Sequence, residues 1–142
     1  MFNKYMNEAI KAAISDKNEV PVGAVLIKDK KIICTSSNLI IKNNNPLCHA
    51  EMNVINEGLK KLDVMYLNDC ELYVTLEPCV MCMGAILNAR VGKLYFGAYD
   101  LKYGASHHIL NLMHLKKTNH YPEIYGGIME EECRNILEGF FR

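Results

Sequence analysis

Two short segments carry residue types able to do chemistry: His49-Ala50-Glu51 and Pro78-Cys79-Val80-Met81-Cys82. Imidazole and thiolate are zinc ligands. Both segments fall where the pattern predicts a helix to begin, and a helix N-terminus favours thiolate over thiol. Cys79 and Cys82 are three residues apart, a spacing that turns both sulfurs to one side of a helix. Three ligands emerge rather than four. Structural zinc sites are closed by four protein ligands, while catalytic sites keep a position for water, so His49, Cys79 and Cys82 predict a catalytic ion. Zinc lowers the pKa of bound water from about 15.7 to about 7 in other enzymes, which supplies hydroxide at neutral pH. Glu51 lies two residues past His49, near the metal without having to ligate it. A carboxylate there accepts a proton from the water and delivers it to a ring nitrogen and a leaving amine. Attack on an amidine-like ring carbon then releases ammonia and leaves a carbonyl.

Each piece has a plainer reading. A lone Cys-x-x-Cys is also a redox pair or a packing feature, a lone His-x-Glu says less still, and a four-ligand structural site is the alternative for the set. Cys48 adjoins His49, but a neighbouring position on a helix turns its side chain away by about 100°. His107 and His108 follow the predicted fourth strand, and His114 and His120 fall in a polar connection. Surface and substrate-contact roles are both open for them.

Elements able to hold these residues can be read along the chain. Its 142 residues fit one domain with one core, spanning 1–142. Hydrophobic residues make up 50% and charged residues 23%, a balance that excludes disorder. No apolar run approaches the roughly 20 residues that span a bilayer, and Met1 to Glu8 is too polar for a signal peptide, so a cytoplasmic location is expected. Sixteen basic and 16 acidic residues give zero net charge, which argues against strong non-specific nucleic-acid binding. The lysine clusters at 28–31, 60–61 and 116–117 read as solvated faces or local basic patches. Six cysteines without a secretory signal favour reduced thiols, and Cys34 and Cys70, in apolar stretches, read as small buried hydrophobes.

Met6, Ala9, Ile10, Ala13 and Ile14 recur at helical spacing and predict a helix over Tyr5 to Asp16. Val22 to Ile27 reads as a strand buried on both faces, joined through a tight turn at Asp29-Lys30 to a second strand, Lys31 to Ser36. Asn43 to Pro46 is a loop, and Met52, Ile55, Leu59 and Leu62 share a helical face, which places His49 and Glu51 in a first turn. A third strand over Glu71 to Thr75 leads through Pro78 into a helix over Val80 to Asn88. Strands over Lys93 to Gly97 and Tyr121 to Tyr125, a short helix near Ile109 to Met113 and a last helix over Ile128 to Phe141 complete the chain. Alternation of strands and helices predicts an α/β protein: a three-layer α/β/α sandwich on a five-stranded mixed sheet, largely parallel and opened by one antiparallel hairpin.

The paired motifs, with a strand before the Pro-Cys turn, match the signature of zinc nucleobase deaminases. The sequence resembles the bacterial tRNA-specific adenosine deaminases, with a cytidine deaminase-like fold, which convert adenosine to inosine at the anticodon wobble position. The likeness covers nearly the whole chain. It is carried by Glu19-Val20-Pro21-Val22-Gly23-Ala24-Val25, His49-Ala50-Glu51, Leu72 to Cys82, Phe96-Gly97-Ala98 and Phe140-Phe141-Arg142. It implies one zinc ion per subunit on His49, Cys79 and Cys82, and Glu51 as proton shuttle. It also implies that Asn38 contacts the target base, that Asp100 contacts the nucleic-acid backbone, and that Val22 and the backbone at Ala50 wall the pocket. A homodimer and a tRNA anticodon loop are the implied partners. Tyr99 stands where many relatives carry Arg, Tyr103 where a small hydroxyl residue is common, and His107-His108 where small residues occur. Tyr99 and Tyr103 are thereby candidates to stack on splayed bases, with surface packing as the alternative. Deamination of a wobble adenosine leads the readings. A free-base or nucleoside deaminase acting on guanine or cytosine, or a non-catalytic zinc scaffold subunit, are its rivals.

Overall fold

The structure, a computed structural model, describes residues 1–105 and 120–142. Helix α1 (Phe2–Ala13) precedes the hairpin of β1 (Gly23–Lys28) and β2 (Lys31–Ser37), followed by α2 (Ala50–Leu62) and β3 (Cys70–Leu76). Then come α3 (Val80–Asn88), β4 (Lys93–Ala98), β5 (Glu123–Tyr125) and α4 (Glu130–Phe141). The expected short helix at 109–113 lies outside the described residues, as do His107, His108 and His114.

Strand residues alternate between two faces, and each face meets its own helices. Ala24, Leu26, Leu72, Val74, Leu94 and Phe96 point to one side, where Val54 and Ile55 of α2 and Met83 and Ile86 of α3 close a core. Val25, Ile27, Tyr73 and Tyr95 point to the other, against Tyr5, Met6 and Ala9 of α1 and Cys133 of α4. The result is the three-layer sandwich expected for strands apolar on both faces. β1 is buried along five of its six residues, which is why no polar alternation marks it in the sequence. Cys34 and Cys70 are buried, as their apolar surroundings suggested.

Sheet order is β2-β1-β3-β4-β5. β1 is antiparallel to both neighbours, while β3–β4 and β4–β5 are parallel. The sheet is therefore evenly mixed, not largely parallel. The reason is that the chain leaving β2 passes through α2 and over β1 before entering β3, so β2 and β3 share a direction without pairing. The Asp29-Lys30 turn has positive φ at both residues (50° and 64°), as a two-residue hairpin with right-handed twist demands.

This topology gathers several loop ends at one edge. The register pairs Gly23 with Ser37, and Leu76 with Ala98. Gly23 N–H also donates to Thr75 Oγ1 at 3.1 Å. The start of β1 and the ends of β2, β3 and β4 thus lie side by side, at the carboxyl ends of the parallel strands where α/β sheets bind ligands. Close packing of α1 sets the height of β1: a Cβ at Gly23 would sit 1.9 Å from Ala9 O, so only glycine admits this approach.

Candidate metal centre

His49 and Cys79 are the N-cap residues of α2 and α3, both with extended backbone (φ −64°, ψ 151° and φ −76°, ψ 177°). The expectation that His49 lies within a helical first turn is corrected by one position: Glu51, not His49, occupies that turn. The cap geometry projects both side chains beyond the helix ends, where two rows of backbone N–H groups also point. Cys82, one turn into α3 and fully buried, reaches the same point. His49 Nδ1 lies 3.7 Å from Cys79 Sγ and 3.6 Å from Cys82 Sγ, and all three donor atoms fall within 4.8 Å of one another.

These distances suit a zinc ion. Tetrahedral zinc with sulfur at about 2.3 Å and nitrogen at about 2.0 Å separates its N and S donors by about 3.5 Å. Cys48 does not belong to the cluster; its sulfur accepts from Asn43 Nδ2 at 3.7 Å, which agrees with its being turned aside. Hydrogen bonding between the two sulfurs splits the thiols. Cys82 donates to Cys79, which lowers the Cys79 pKa to about 5, with the His49 ring and the N–H groups of Cys82 and Met81 acting in the same direction. The Cys82 thiol is pushed up, first by that same hydrogen bond and then by burial. A cation at this point would thus meet one sulfur already favoured as thiolate.

Glu51 is 4% exposed. Burial pushes its carboxyl up to about 7, and the charge on Cys79 acts the same way. It lines, with His49 and Cys79, a pocket of about 390 Å³. Val20, Val22, Ile40 and Leu76 supply apolar walls; Asn38, Glu77, Asp100 and Tyr103 supply polar atoms. The lining is predominantly apolar with a few convergent polar groups, the usual composition of a small-ligand site.

Asn38 is anchored at both ends of its amide: Nδ2 donates to Val20 O at 3.0 Å, and Oδ1 accepts the N–H of Ala50 at 3.0 Å. Ala50, whose backbone was expected to wall the pocket, is instead fully buried and not among its lining residues; its N–H is taken up by Asn38. Asp100 lines the pocket, with Oδ1 accepting the N–H groups of Lys102 and Tyr103 at 3.1 Å each. Tyr99 packs inward, its ring edge-on to Phe96 at 4.9 Å, whereas Tyr103 stands 70% exposed at the pocket mouth.

Two buried carboxylates were not singled out from the sequence. Glu19, 3% exposed, accepts the N–H groups of Ile41 and Lys42 at 3.0 Å each and ties down the wall that carries Ile40. Glu77, also 3% exposed, accepts the N–H of Asp100 at 3.0 Å. The available signal was a glutamate set in an apolar run close to a proline, Glu19-Val20-Pro21 and Glu77-Pro78.

The MafB19-like deaminase family matches residues 1–142. A tRNA-specific adenosine deaminase of Bacillus subtilis (strain 168) is 46% identical over 140 residues, covering 97% of this chain and 87% of the relative. Another, from Rickettsia typhi (strain ATCC VR-144 / Wilmington), is 45% identical over 141 residues, covering 96% and 95%. A solved structure from studies of A-to-I editing by tRNA:A34 deaminases at the wobble position superposes with a TM-score of 0.89 at 39% identity, covering 94% of this chain and 99% of that one. A family match along its whole length and relatives at this level of identity mean that the chain belongs to the MafB19-like deaminase family, alongside the tRNA-specific adenosine deaminases.

Proposed function

We propose that this protein hydrolytically deaminates adenosine to inosine at the wobble position of a tRNA anticodon, with one zinc ion held by His49, Cys79 and Cys82. The observation that carries the reading is the convergence of one imidazole and two sulfurs at tetrahedral zinc spacing beside a buried carboxylate. The relatives' names supply the substrate class. Zinc, when bound there with one position open to solvent, supplies a water acidified to a pKa of about 7.

The residues of the chain do the rest. Glu51 is the catalytic carboxylate. It takes a proton from the attacking water and passes it to the ring nitrogen next to the amino-bearing carbon. A second transfer goes to the departing amine, so that water and adenosine become inosine and ammonia. Val22, Leu76 and Ile40 give the flat ring an apolar slot and keep bulk water from it. Asn38, clamped by Val20 and Ala50, presents its remaining amide valences to the base edge. Asp100 shapes the outer wall toward the backbone of the extruded nucleotide. An anticodon loop offers an unpaired base, which lowers the cost of extrusion.

The reading takes 1–142 as a single deaminase domain, supported by the family match along that span. It includes a homodimer, as the resemblance implies; Ile41, Leu47 and Val80, near the site residues in sequence, are exposed and available to such a contact. The proposed substrate favours a cytoplasmic location, and among the described residues no helix is long and apolar enough to cross a membrane.

The test is incubation of purified protein with an anticodon stem-loop carrying a wobble adenosine, with nucleoside analysis. Inosine should form, disappear with a chelator and return with zinc, while guanine and cytosine release no ammonia. Unchanged adenosine in the presence of zinc-loaded protein refutes the proposal.

A further inference from the structure

One large side chain at the pocket mouth has no part in the chemistry above. Tyr103 lines the pocket whose floor carries Glu51, His49 and Cys79, yet its ring remains 70% exposed. The backbone beneath it is pinned. Asp100 Oδ1 accepts the N–H groups of Lys102 and Tyr103 at 3.1 Å, and Asp100 O accepts that of Gly104 at 2.9 Å. Asp100 N–H is held by Glu77 Oε1 at 3.0 Å, and Ala105 N–H donates to Pro78 O at 2.9 Å. The loop is thus fastened to the turn that delivers Cys79. Tyr99, four residues earlier, shows the opposite design, with its ring spent on Phe96.

An exposed ring on a fixed backbone loses little freedom when it is covered. A nucleic-acid strand whose reacting base has been drawn into the pocket presents the faces of that base's unpaired neighbours at the mouth. Aromatic side chains capture such faces with little regard to sequence, since every base has a π-face. We propose that Tyr103 is a stacking platform for the unpaired base adjoining the adenosine under attack. It is a specificity-determining residue: it sets affinity for single-stranded RNA and leaves the rate of the chemical step alone. This inference rests on the RNA reading given above.

The experiment is steady-state kinetics of the full-length zinc enzyme, as wild type, Tyr103→Ala and Tyr103→Phe. The substrates are the anticodon stem-loop and two versions with an abasic nucleotide 5′ or 3′ of the reacting adenosine. Tyr103→Ala should raise KM about 5- to 100-fold on the intact loop with kcat unchanged, and Tyr103→Phe should restore the wild-type KM. On one of the abasic loops the wild-type KM should rise to match, and Tyr103→Ala should add nothing further, since the two changes remove the same contact. An unmoved KM for Tyr103→Ala, or its full effect persisting on both abasic loops, overturns the inference alone. A wild-type enzyme inert on the intact loop overturns the RNA reading and this inference with it.

Discussion

Gly104 offers a way to displace the substrate wall without touching a metal ligand. A Cβ there would lie 2.3 Å from Glu77 Oε1, 2.4 Å from Glu77 Cδ and 2.4 Å from Asp100 O, where ordinary contact begins at 3.4 Å. In Gly104→Ala something must therefore yield by about 1 Å. Glu77 is buried and runs directly into Pro78 and Cys79, and Asp100 O already holds the Gly104 N–H, so neither neighbour can simply rotate aside. The segment carrying Asp100 and Tyr103 shifts instead. Misplacing a substrate-positioning element by about 1 Å costs on the order of 10²-fold, equivalent to about 2.7 kcal/mol of transition-state stabilisation. The assay is kcat/KM on the wobble stem-loop together with zinc content by atomic absorption. A loss near that size is expected with zinc stoichiometry unchanged. Adding Glu77→Ala removes two of the three close contacts that the methyl makes, so the double variant should lose less than the product of the two single losses. Wild-type kcat/KM in Gly104→Ala would show that the contact between Glu77 and the rim positions nothing, and the reasoning would fail.

Glu51→Gln keeps shape and removes the proton acceptor. Its kcat should drop about 10²- to 10⁴-fold with zinc content and KM for the stem-loop little changed, and a kcat equal to wild type would remove Glu51 from the mechanism. Cys48 and Cys79 are half-buried and the other four cysteines buried. Alkylation of the native zinc protein followed by peptide mapping should therefore label Cys48 first, and chelation should add Cys79; early labelling of Cys79 with zinc present contradicts the ligand assignment. Burial pushes the Cys34 and Cys133 thiols up to about 12 from an ordinary value of 9.0. A group whose folded pKa is raised contributes stability that is complete below the unfolded value and lost as pH rises toward the folded one. Denaturant unfolding should show stability falling between pH 9 and 12, by at most about 1.4 kcal/mol per pH unit for each thiol, and Cys34→Ala should flatten that slope. An unchanged slope would mean that Cys34 does not titrate there.

The residues that were legible in the sequence are those whose signal is local. His49, Glu51, Cys79 and Cys82 announce themselves because ligand chemistry needs rare residue types at fixed spacing, and β1, β3 and β4 because a short, mostly apolar run suits a strand covered on both sides. What stayed hidden depends on partners far along the chain. Pairing of β1 with β3 joins residues 42 to 50 positions apart, a distance that no periodicity reports, and it turned a sheet read as largely parallel into an evenly mixed one. Glu19 and Glu77 carry only the faint signal of an apolar, proline-flanked setting, and their role shows once the fold brings the N–H groups of Ile41, Lys42 and Asp100 to them. Asp100 and Asn38 were expected to face substrate, and both do line the pocket, but each also satisfies backbone groups of its own surroundings.

That division has a physical cause. Ligands and the proton carrier must be of one chemical type, so selection for chemistry leaves its mark on residue identity. The walls need only be held still, and any side chain able to accept an N–H will do. Here the two walls hang on different buried carboxylates, Glu19 under Ile41 and Lys42 and Glu77 under Asp100, while the candidate ligands sit at the starts of α2 and α3. On the proposed function, metal binding and substrate binding should therefore be separable by mutation. Variants at Glu77 and Gly104 should lower kcat/KM and a Tyr103 variant should raise KM, all with zinc retained, while variants at His49, Cys79 and Cys82 should act through loss of the ion. A Tyr103 variant that lost zinc, or a Cys82 variant that kept it, would mean that wall and metal centre are one unit rather than two.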